Sequence, residues 1–415
     1  MDSNGNISKS TTFENGDGTG EAYYQELDRT IILNAKKIEI EVEGEKVAYP
    51  VPVSQIEIVN NENGEPSYVL YTKESSDLSG AFETTRYDLK DYPEEMDVIS
   101  AIKDGTITGG TKLSTVTSDN GSTSYVQNYE RNGNTVSRNY NSQVDENGNL
   151  VSTNYQYQIN NENGDSLLSV DRSWSKNADG STTTVINGKN YTATFDDNTK
   201  TVTVVQEDGT KTSYSINDML TKIDTSESEE KAASTKENYV YENSTEQQKD
   251  FWAMVKTLPA DQLINLGTNV KEITITDNVF GTNINFARHL NVIPDVAVIS
   301  HELGHSIDIV DEEKLGNISQ NEELIEIYNN EMKTFTQKYP ELSQNIISYF
   351  SQVGGGGVFE TNTGLSELVA ESNMLMTTYG HDNDSVNARA EYLVQYFPET
   401  VAKIGELLGY NNVEN

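Results

Sequence analysis

Between about residues 110 and 215, hydrophobic and polar residues alternate along short segments that end at glycines. The alternation is clear in Thr201–Val205, and a period of two places one face of a strand in a core and the other in solvent. Asn-Gly and Asp-Gly pairs tolerate the positive φ angles of tight hairpin turns. Such pairs occur at Asn120-Gly121, Asn132-Gly133, Asn147-Gly148, Asn163-Gly164, Asp179-Gly180, Asn187-Gly188 and Asp208-Gly209. We therefore predict an antiparallel β-meander over residues 111–220.

The strands of this meander contain more Tyr and Thr than Ile and Leu, which predicts a thin buried layer and a sheet partly solvated on both faces. Two of its turns, Asp145–Gly148 and Asn161–Asp165, also offer oxygen atoms of the kind that calcium prefers. Their spacing does not match a complete calcium loop, so the pattern favours hairpin turns over calcium sites.

The first 110 residues are less regular and predict a separate β-rich N-terminal domain. Thr30–Glu43 and Gln55–Asn60 have the composition of strands, and Pro50-Val51-Pro52 predicts a break between them. A helix is expected near Pro93–Lys103. Residues 221–244, which follow the meander, are polar and charged without an apolar period, so they predict a linker.

From residue 244 the hydrophobic period changes to that of a helix. Ser244 and Gln247 form a capping-box start, and one helical face then carries Phe251, Trp252, Val255 and Leu258. The strand-like segments Glu272–Thr276 and Asn283–Arg288 follow, and helices dominate thereafter. We predict a mainly α, α+β domain over residues 245–415. The fold class is therefore multidomain, with all-β antiparallel meander regions followed by this domain.

The composition narrows the possible functions. The chain has 415 residues, and its 66 acidic and 29 basic residues give a formal charge of −37. This charge repels nucleic acid and anionic lipid, and no stretch has the roughly 18 apolar residues of a membrane helix. We expect neither a nucleic-acid partner nor a membrane span. Because the chain has no cysteine, His and carboxylate side chains remain as transition-metal ligands.

The sequence begins at Met1–Gly5 with neither a basic nor an apolar region, which predicts that this chain carries no signal peptide. Few Lys and Arg, abundant Asn, Thr, Ser and Tyr, and no Cys are typical of exported bacterial proteins. We therefore expect a secreted or cell-surface protein whose leader is absent from this sequence.

One motif predicts chemistry. His301-Glu302-Leu303-Gly304-His305 matches HExxH, in which two imidazoles on one helical face bind a single metal ion. Pro294-Asp295 can open this helix. Without a metal, two buried imidazoles and a carboxylate would lack partners at a cost of about 1–3 kcal/mol each. The motif predicts Zn2+ held by three protein groups with a fourth position open to water, and Glu302 as the general base.

The motif leaves the third ligand open. Asp308 lies seven residues after His301 and is a candidate acceptor for an imidazole N–H, with a role in a turn or in solvent as the alternative. Asp311 lacks the preceding Gly at position 308 that a metzincin-like ligand would need. Glu367 and Glu371 are better candidates because they lie four residues apart on one face of a predicted helix, with a solvated surface pair as the alternative.

Three segments together resemble the catalytic domain of the anthrax lethal factor-like metallopeptidases. An HExxHxxD helix at His301–Asp308 is followed by an E-[FL]-x-A-E helix at Glu367–Glu371, and then by Tyr392–Thr400 near the C-terminus. The resemblance covers about residues 245–410. It implies that Glu367 is the third zinc ligand and that Glu371 is a second carboxylate behind the ligands.

The family commonly has a Tyr seven residues before the ligand Glu, where it binds the oxyanion of the attacked carbonyl. Glu360 occupies that position here, so Tyr349 and Tyr379 are the candidate substitutes. Asn283–Arg288 is similar to the edge strand that pairs with extended substrates in zinc peptidases, with a buried structural strand as the alternative.

These observations predict a secreted, monomeric zinc endopeptidase with a zincin-like catalytic domain that acts on protein or peptide substrates. The alternative is a surface adhesin, or a toxin module, with a degenerate metal site. The missing Tyr at position 360 favours this alternative, and the β-rich half could then bind a surface or deliver the C-terminal domain.

Overall fold

The computed structural model has an antiparallel all-β region followed by a mostly helical region, as the hydrophobic pattern predicts. It describes residues 11–14, 19–25, 29–42, 45–76, 82–131, 133–220, 245–276, 283–284, 288–311, 314–338, 363–378, 393 and 396–411. Within these ranges, no helix combines the length and the apolar character that a membrane crossing requires.

Two antiparallel sheets form the β region, and each strand pairs with its neighbours in sequence. The first sheet contains β1 (Thr11–Glu14), β2 (Thr19–Gln25), β3 (Arg29–Val42), β4 (Glu45–Asn60), β5 (Pro66–Glu74), β6 (Phe82–Asp88) and β7 (Thr111–Lys112). The second contains β8 (Ser114–Asp119), β9 (Ser122–Arg131), β10 (Asn134–Val144), β11 (Leu150–Asn160), β12 (Ser166–Lys176), β13 (Thr182–Ile186), β14 (Lys189–Asp196), β15 (Thr201–Gln206) and β16 (Lys211–Ser215).

The helices are α1 (Val98–Lys103), α2 (Ile216–Met219), α3 (Thr245–Val255), α4 (Ala260–Asn269), α5 (Val296–Asp308), α6 (Glu322–Lys338), α7 (Thr363–Thr378) and α8 (Pro398–Leu407). Three short strands form a further sheet in the order β17 (Glu272–Ile275), β19 (His289–Val292), β18 (Asn283–Ile284). A two-stranded sheet pairs β20 (Ile309–Asp311) with β21 (Lys314–Leu315). Of these strands, β19, β20 and β21 have no counterpart in the sequence prediction.

A single extended segment joins the two large sheets. Strand β7 pairs with β6, whereas β8 pairs with β9. Between them, the Leu113 amide donates to the Thr84 carbonyl, and the Leu113 carbonyl accepts from the Asn128 amide, both at 2.8 Å. The junction lies close to the predicted boundary at residues 110 and 111, and backbone hydrogen bonds cross it.

The glycine turns of the meander form in two ways. Asn120-Gly121 and Asn187-Gly188 have positive φ at both residues, with values of 50° and 83° in the first turn and 48° and 80° in the second. At Asp145, by contrast, the side chain accepts hydrogen bonds from the amides of Asn147 and Asn149 and closes its own loop. The turn prediction is confirmed at these positions, and the Asp145 carboxylate has a structural role there.

The predicted break at Pro50-Val51-Pro52 is wrong, because β4 runs through it. Asn34 pairs with Ser54, and Ala35 pairs with Pro52, so Val53 is an extra residue in the ladder. A bulge of this kind lets a strand continue past residues that cannot donate to every ladder position.

The first sheet has an apolar layer on each face. Ile32, Ile56 and Val69 pack with the buried side of α1, whereas Ile31 and Leu33 belong to the core that also contains the second sheet and the C-terminal helices. Strand alternation produces this division, since neighbouring residues of β3 point to opposite faces.

The second sheet buries one face only, so the predicted partial solvation of both faces is wrong. Burial alternates along β10 and β12, and the buried side chains include Tyr140, Tyr157 and Trp174. Tyr140 and Tyr157 share one core with Phe251 and with the apolar sides of α4, α5, α7 and α8. The helices therefore cover the buried face of the sheet with apolar side chains, which the Tyr-rich strands do not supply in sufficient number themselves.

A close contact fixes α4 against β16. The Tyr214 hydroxyl donates to the Leu263 carbonyl at 2.8 Å, and the ring lies against Gly267. A Cβ atom at Gly267 would be 2.2 Å from Tyr214 Cδ1. The absence of a side chain at Gly267 thus allows the helix to pack on the sheet.

We predict that Gly267→Ala destabilises the protein. Alanine normally stabilises a helix relative to glycine by about 1 kcal/mol, but overpacking against a fixed ring costs about 1–3 kcal/mol. The expected net loss is up to about 2 kcal/mol in urea unfolding. Thr268→Ala, at the exposed neighbouring position, is the control and should change stability by less than about 0.5 kcal/mol. A stabilised Gly267→Ala protein would contradict the packing argument.

Candidate metal centre

Helix α5 carries the HExxH motif and begins as the sequence predicts. The Asp295 side chain accepts a hydrogen bond from the Val298 amide at 2.9 Å, which caps the first turn. Two of its apolar residues, Ile299 and Leu303, have no exposed surface. A buried helix of this kind holds its side chains in fixed directions, as a metal site requires.

Helices α5 and α7 come into unusually close contact at Gly304. A Cβ atom at this position would lie 2.6 Å from the Ala370 Cα and 3.0 Å from the Asn373 Cβ. Any larger residue at 304 would push α7 away. Since Gly304 lies between the two motif histidines, the closest point of the crossing is next to the imidazoles.

The crossing brings His301, His305 and Glu367 together. Glu367 Oε2 lies 3.4 Å from His301 Nε2 and 3.4 Å from His305 Nε2, and the three ligand atoms are within 4.8 Å of one another. A tetrahedral ion with ligand distances of about 2.0–2.2 Å separates neighbouring ligand atoms by roughly 3.3–3.6 Å. The two nitrogen–oxygen distances fit this spacing, so the three side chains could hold a metal ion.

Two further side chains orient the imidazoles. Ser366 Oγ lies 3.2 Å from His305 Nδ1, and Glu371 Oε1, on a fully buried side chain, lies 3.5 Å from His301 Nδ1. Both side chains are next to Nδ1, the nitrogen that faces away from Glu367, so Nε2 is left for a metal. The Ser366 contact is a hydrogen bond, whereas the Glu371 contact is a close approach without hydrogen-bond geometry. Glu371 is thus a buried carboxylate next to His301. Ser366 was not predicted from the sequence as a residue of the site.

Asp308 is fully buried, which rules out the solvent-exposed alternative. Its Oδ1 accepts hydrogen bonds from the amides of Ile318 and Ser319, both at 2.8 Å. Its carbonyl accepts from the amides of Gly316 and Asn317. These bonds fasten the segment after α5 to the end of the helix, which is the turn role that the sequence left open.

Opposite charges in the site shift the ionisation of two of these residues. Burial lowers the pKa of His305, but the negative charge of Glu367 and the hydrogen bond to it outweigh this effect and raise the pKa to about 9 from the ordinary 6.5. Burial raises the pKa of Glu367, whereas His305 and His301 lower it and leave it well below 4.5. Before a metal binds, a proton on His305 therefore stabilises the cluster.

The predicted general base, Glu302, is buried on the same helix as the two histidines. Glu302 is 5% exposed and follows His301 directly on α5. Its charge contributes to the raised pKa of His305, so the carboxylate is close to the ligands.

Tyr349 and Tyr379, the candidate oxyanion donors, lie outside the described residues. In the part of the chain that is described, His301, His305 and Glu367 form the only group of three or more His, Cys, Asp or Glu that could hold a metal ion.

We predict that Gly304→Ala weakens metal binding. The added methyl group must separate α5 from α7, and this displaces Glu367 relative to both imidazoles. Coordination distances tolerate shifts of only about 0.2 Å, so a loss of affinity of at least about tenfold is expected in competition with a chromogenic chelator.

Gly267→Ala is the matched control, because it introduces the same methyl group at a tight helical contact away from the ligands. It should weaken metal binding less than Gly304→Ala does, because the added methyl group acts on the crossing only through α4. Equal affinities for Gly304→Ala and the unmodified protein would show that the crossing does not set the ligand geometry.

A second prediction concerns pH. Because the pKa of His305 in the folded, chelator-treated protein is raised above 6.5 to about 9, its contribution to stability is complete below pH 6.5. It is lost as the pH rises to about 9. NMR titration of the His305 ring should show a transition near pH 9, and Glu367→Gln should move the transition down by at least one pH unit. An unchanged transition in Glu367→Gln would contradict the assigned cause.

No protein-family model matches this chain, and no curated protein matches it significantly. The resemblance to lethal factor-like metallopeptidases therefore remains a prediction that rests on short motifs. The finding from the structure is the coarser one: a largely buried group of two histidines and one glutamate that could hold a metal ion.

Proposed function

We propose that this protein is a zinc-dependent endopeptidase with a zincin-like C-terminal domain, which hydrolyses peptide bonds in protein or peptide substrates. The proposal rests on one observation: three ligand atoms of types that bind zinc lie within 4.8 Å of one another, and both nitrogen–oxygen distances, 3.4 Å each, fit tetrahedral spacing. His301, His305 and Glu367 would hold the ion. When bound, zinc would lower the pKa of a coordinated water to about 7 and polarise the substrate carbonyl.

Glu302 is the residue that moves the proton. Its carboxylate is buried beside the ligands, where it can take a proton from the attacking water. The same carboxyl group then gives the proton to the nitrogen of the leaving amine as the peptide C–N bond breaks. Glu302 thus acts first as base and then as acid, and ends the cycle ionised.

The site is accessible from one side. The side chains of His305 and Glu367 are 17% and 20% exposed, whereas that of His301 is 9% exposed. Within the described residues, β18 is at an edge of the three-stranded sheet. An extended peptide could add to such an edge through main-chain hydrogen bonds, and this supports the choice of an endopeptidase.

The second candidate is a surface adhesin or toxin module whose metal site is degenerate. Glu360 in place of the family Tyr favours it, because an acidic residue cannot stabilise an oxyanion. Metal-dependent hydrolysis of a peptide library distinguishes the two. We also propose a secreted or cell-surface location on the basis of the composition.

We predict that Glu302→Gln abolishes peptide hydrolysis and retains the metal. The amide is nearly isosteric with the carboxylate but cannot accept the proton, and general base catalysis contributes about 10²–10⁴-fold. The loss in kcat should lie in that range, with one equivalent of zinc still present by elemental analysis.

Glu326→Gln is the control, since it makes the same change at an exposed position on α6. Its kcat should match that of the unmodified protein. If Glu302→Gln hydrolyses peptides at the unmodified rate, Glu302 is not the base.

A further inference from the structure

Two asparagines, one on each of two neighbouring helices, form hydrogen bonds with the backbone of α5. Asn373 Nδ2 on α7 donates to the Ser300 carbonyl at 2.7 Å, and Asn265 Nδ2 on α4 donates to the Leu303 carbonyl at 2.9 Å. These carbonyls flank the His301-Glu302 pair. A side-chain bond to a helical carbonyl fixes the position of that helix along its axis, which apolar packing alone does less strictly.

Asn373 is held in turn by a buried polar network. Its Nδ2 also donates to Gln262 Oε1 at 3.1 Å, and its Oδ1 lies 3.0 Å from the Tyr410 hydroxyl. Gln262 and Asn373 have no exposed surface, and Tyr410 is 7% exposed. In such surroundings an unpaired amide costs about 1–3 kcal/mol, so the Asn373 side chain has few alternative orientations.

The second sheet contributes to this network through Arg172 on β12. Its guanidinium group forms an ion pair with Asp261 and lies over the Tyr410 ring, 5.1 Å from the ring centroid. Asp261 Oδ2 lies 3.0 Å from the Tyr410 hydroxyl and 3.1 Å from Gln262 Nε2. A continuous set of contacts therefore leads from the β-meander to the backbone of the metal-binding helix.

We propose that Asn373 is a positioning residue for the metal centre, which fixes the axial register of α5 against α7, and that Arg172 and Tyr410 hold Asn373 in place. The proposal rests on the metal site described above. It makes the β-meander part of the catalytic unit.

A comparison of the helical rise per residue with the tolerance of metal–ligand distances supports this role. One residue of sliding along a helix is about 1.5 Å, whereas coordination distances tolerate about 0.2 Å. A slide of a fraction of a residue would therefore separate Glu367 from the imidazoles. The 2.7 Å bond between Asn373 and Ser300 would be lost in the same movement, so the bond and the ligand geometry require the same register.

Metal affinity of the full chain tests the proposal, measured with Zn2+ by chelator competition and with Co2+ by its visible spectrum. We expect Asn373→Ala and Asn373→Asp to weaken Zn2+ binding by about 10–100-fold and to change the Co2+ spectrum. Thr377→Val is the matched control. It removes a buried hydroxyl one turn further along α7 that bonds to carbonyls of its own helix, and its affinity should stay within about threefold.

Tyr410→Phe tests the connection to the sheet, because it removes one hydroxyl and keeps the ring. It should weaken Zn2+ binding severalfold in the unmodified protein and have no effect in Asn373→Ala. Additive losses would overturn the role of Tyr410 in holding Asn373.

An Asn373→Ala protein that folds and binds Zn2+ with unchanged affinity would overturn the positioning role, even if peptide hydrolysis is observed. Conversely, a protein that binds zinc and cleaves no peptide would refute the peptidase. If Asn373→Ala reduced the Zn2+ affinity of that protein, the positioning role would still be supported. Failure of the peptidase proposal can therefore be distinguished from failure of the positioning proposal.

Discussion

The contact between Gly304 and Ala370 is the constraint on which the metal centre depends. Because no side chain separates the two backbones there, the two helices are close enough for the ligand side chains of one to meet those of the other. His301 and His305 lie on both sides of the glycine, and Glu367 lies one turn before Ala370. Main-chain packing therefore determines the ligand distances, and residues that adjust the crossing can tune the site without touching the metal.

The β-rich half, whose sequence predicts no chemistry, supports this crossing. Tyr214 bonds to the Leu263 carbonyl, Thr184 accepts from the Ala260 amide at the start of α4, and Arg172 pairs with Asp261. All three contacts end on α4, and α4 in turn contacts α5. A buried polar contact is costly unless it is complete, so the sheet and the helices must assemble together. This argues against a freely separable delivery module.

The sequence predicts features that depend on local chemistry. The Asp295 cap, the turn glycines and the buried face at Phe251 each follow from a few adjacent residues. Features that depend on tertiary contacts were missed or wrong: the bulge that carries β4 past Pro52, and the one-sided burial of the meander. Ser366 and Asn373 belong to this second class, since a polar residue within a helix gives no sign of which neighbour it meets.

Burial across the metal centre is asymmetric, and the asymmetry limits how a reaction could proceed there. Glu371 and Asp308 are fully buried, whereas His305 and Glu367 retain some exposure. A water molecule or a carbonyl group can therefore reach the ligands where His305 and Glu367 are exposed. As the proposed base, Glu302, at 5% exposed, would act in surroundings where few waters compete for its carboxylate and where electrostatic interactions are stronger than in bulk water. A base in this position needs no movement of α5 to meet its proton, so the rigidity imposed at Gly304 is compatible with catalysis.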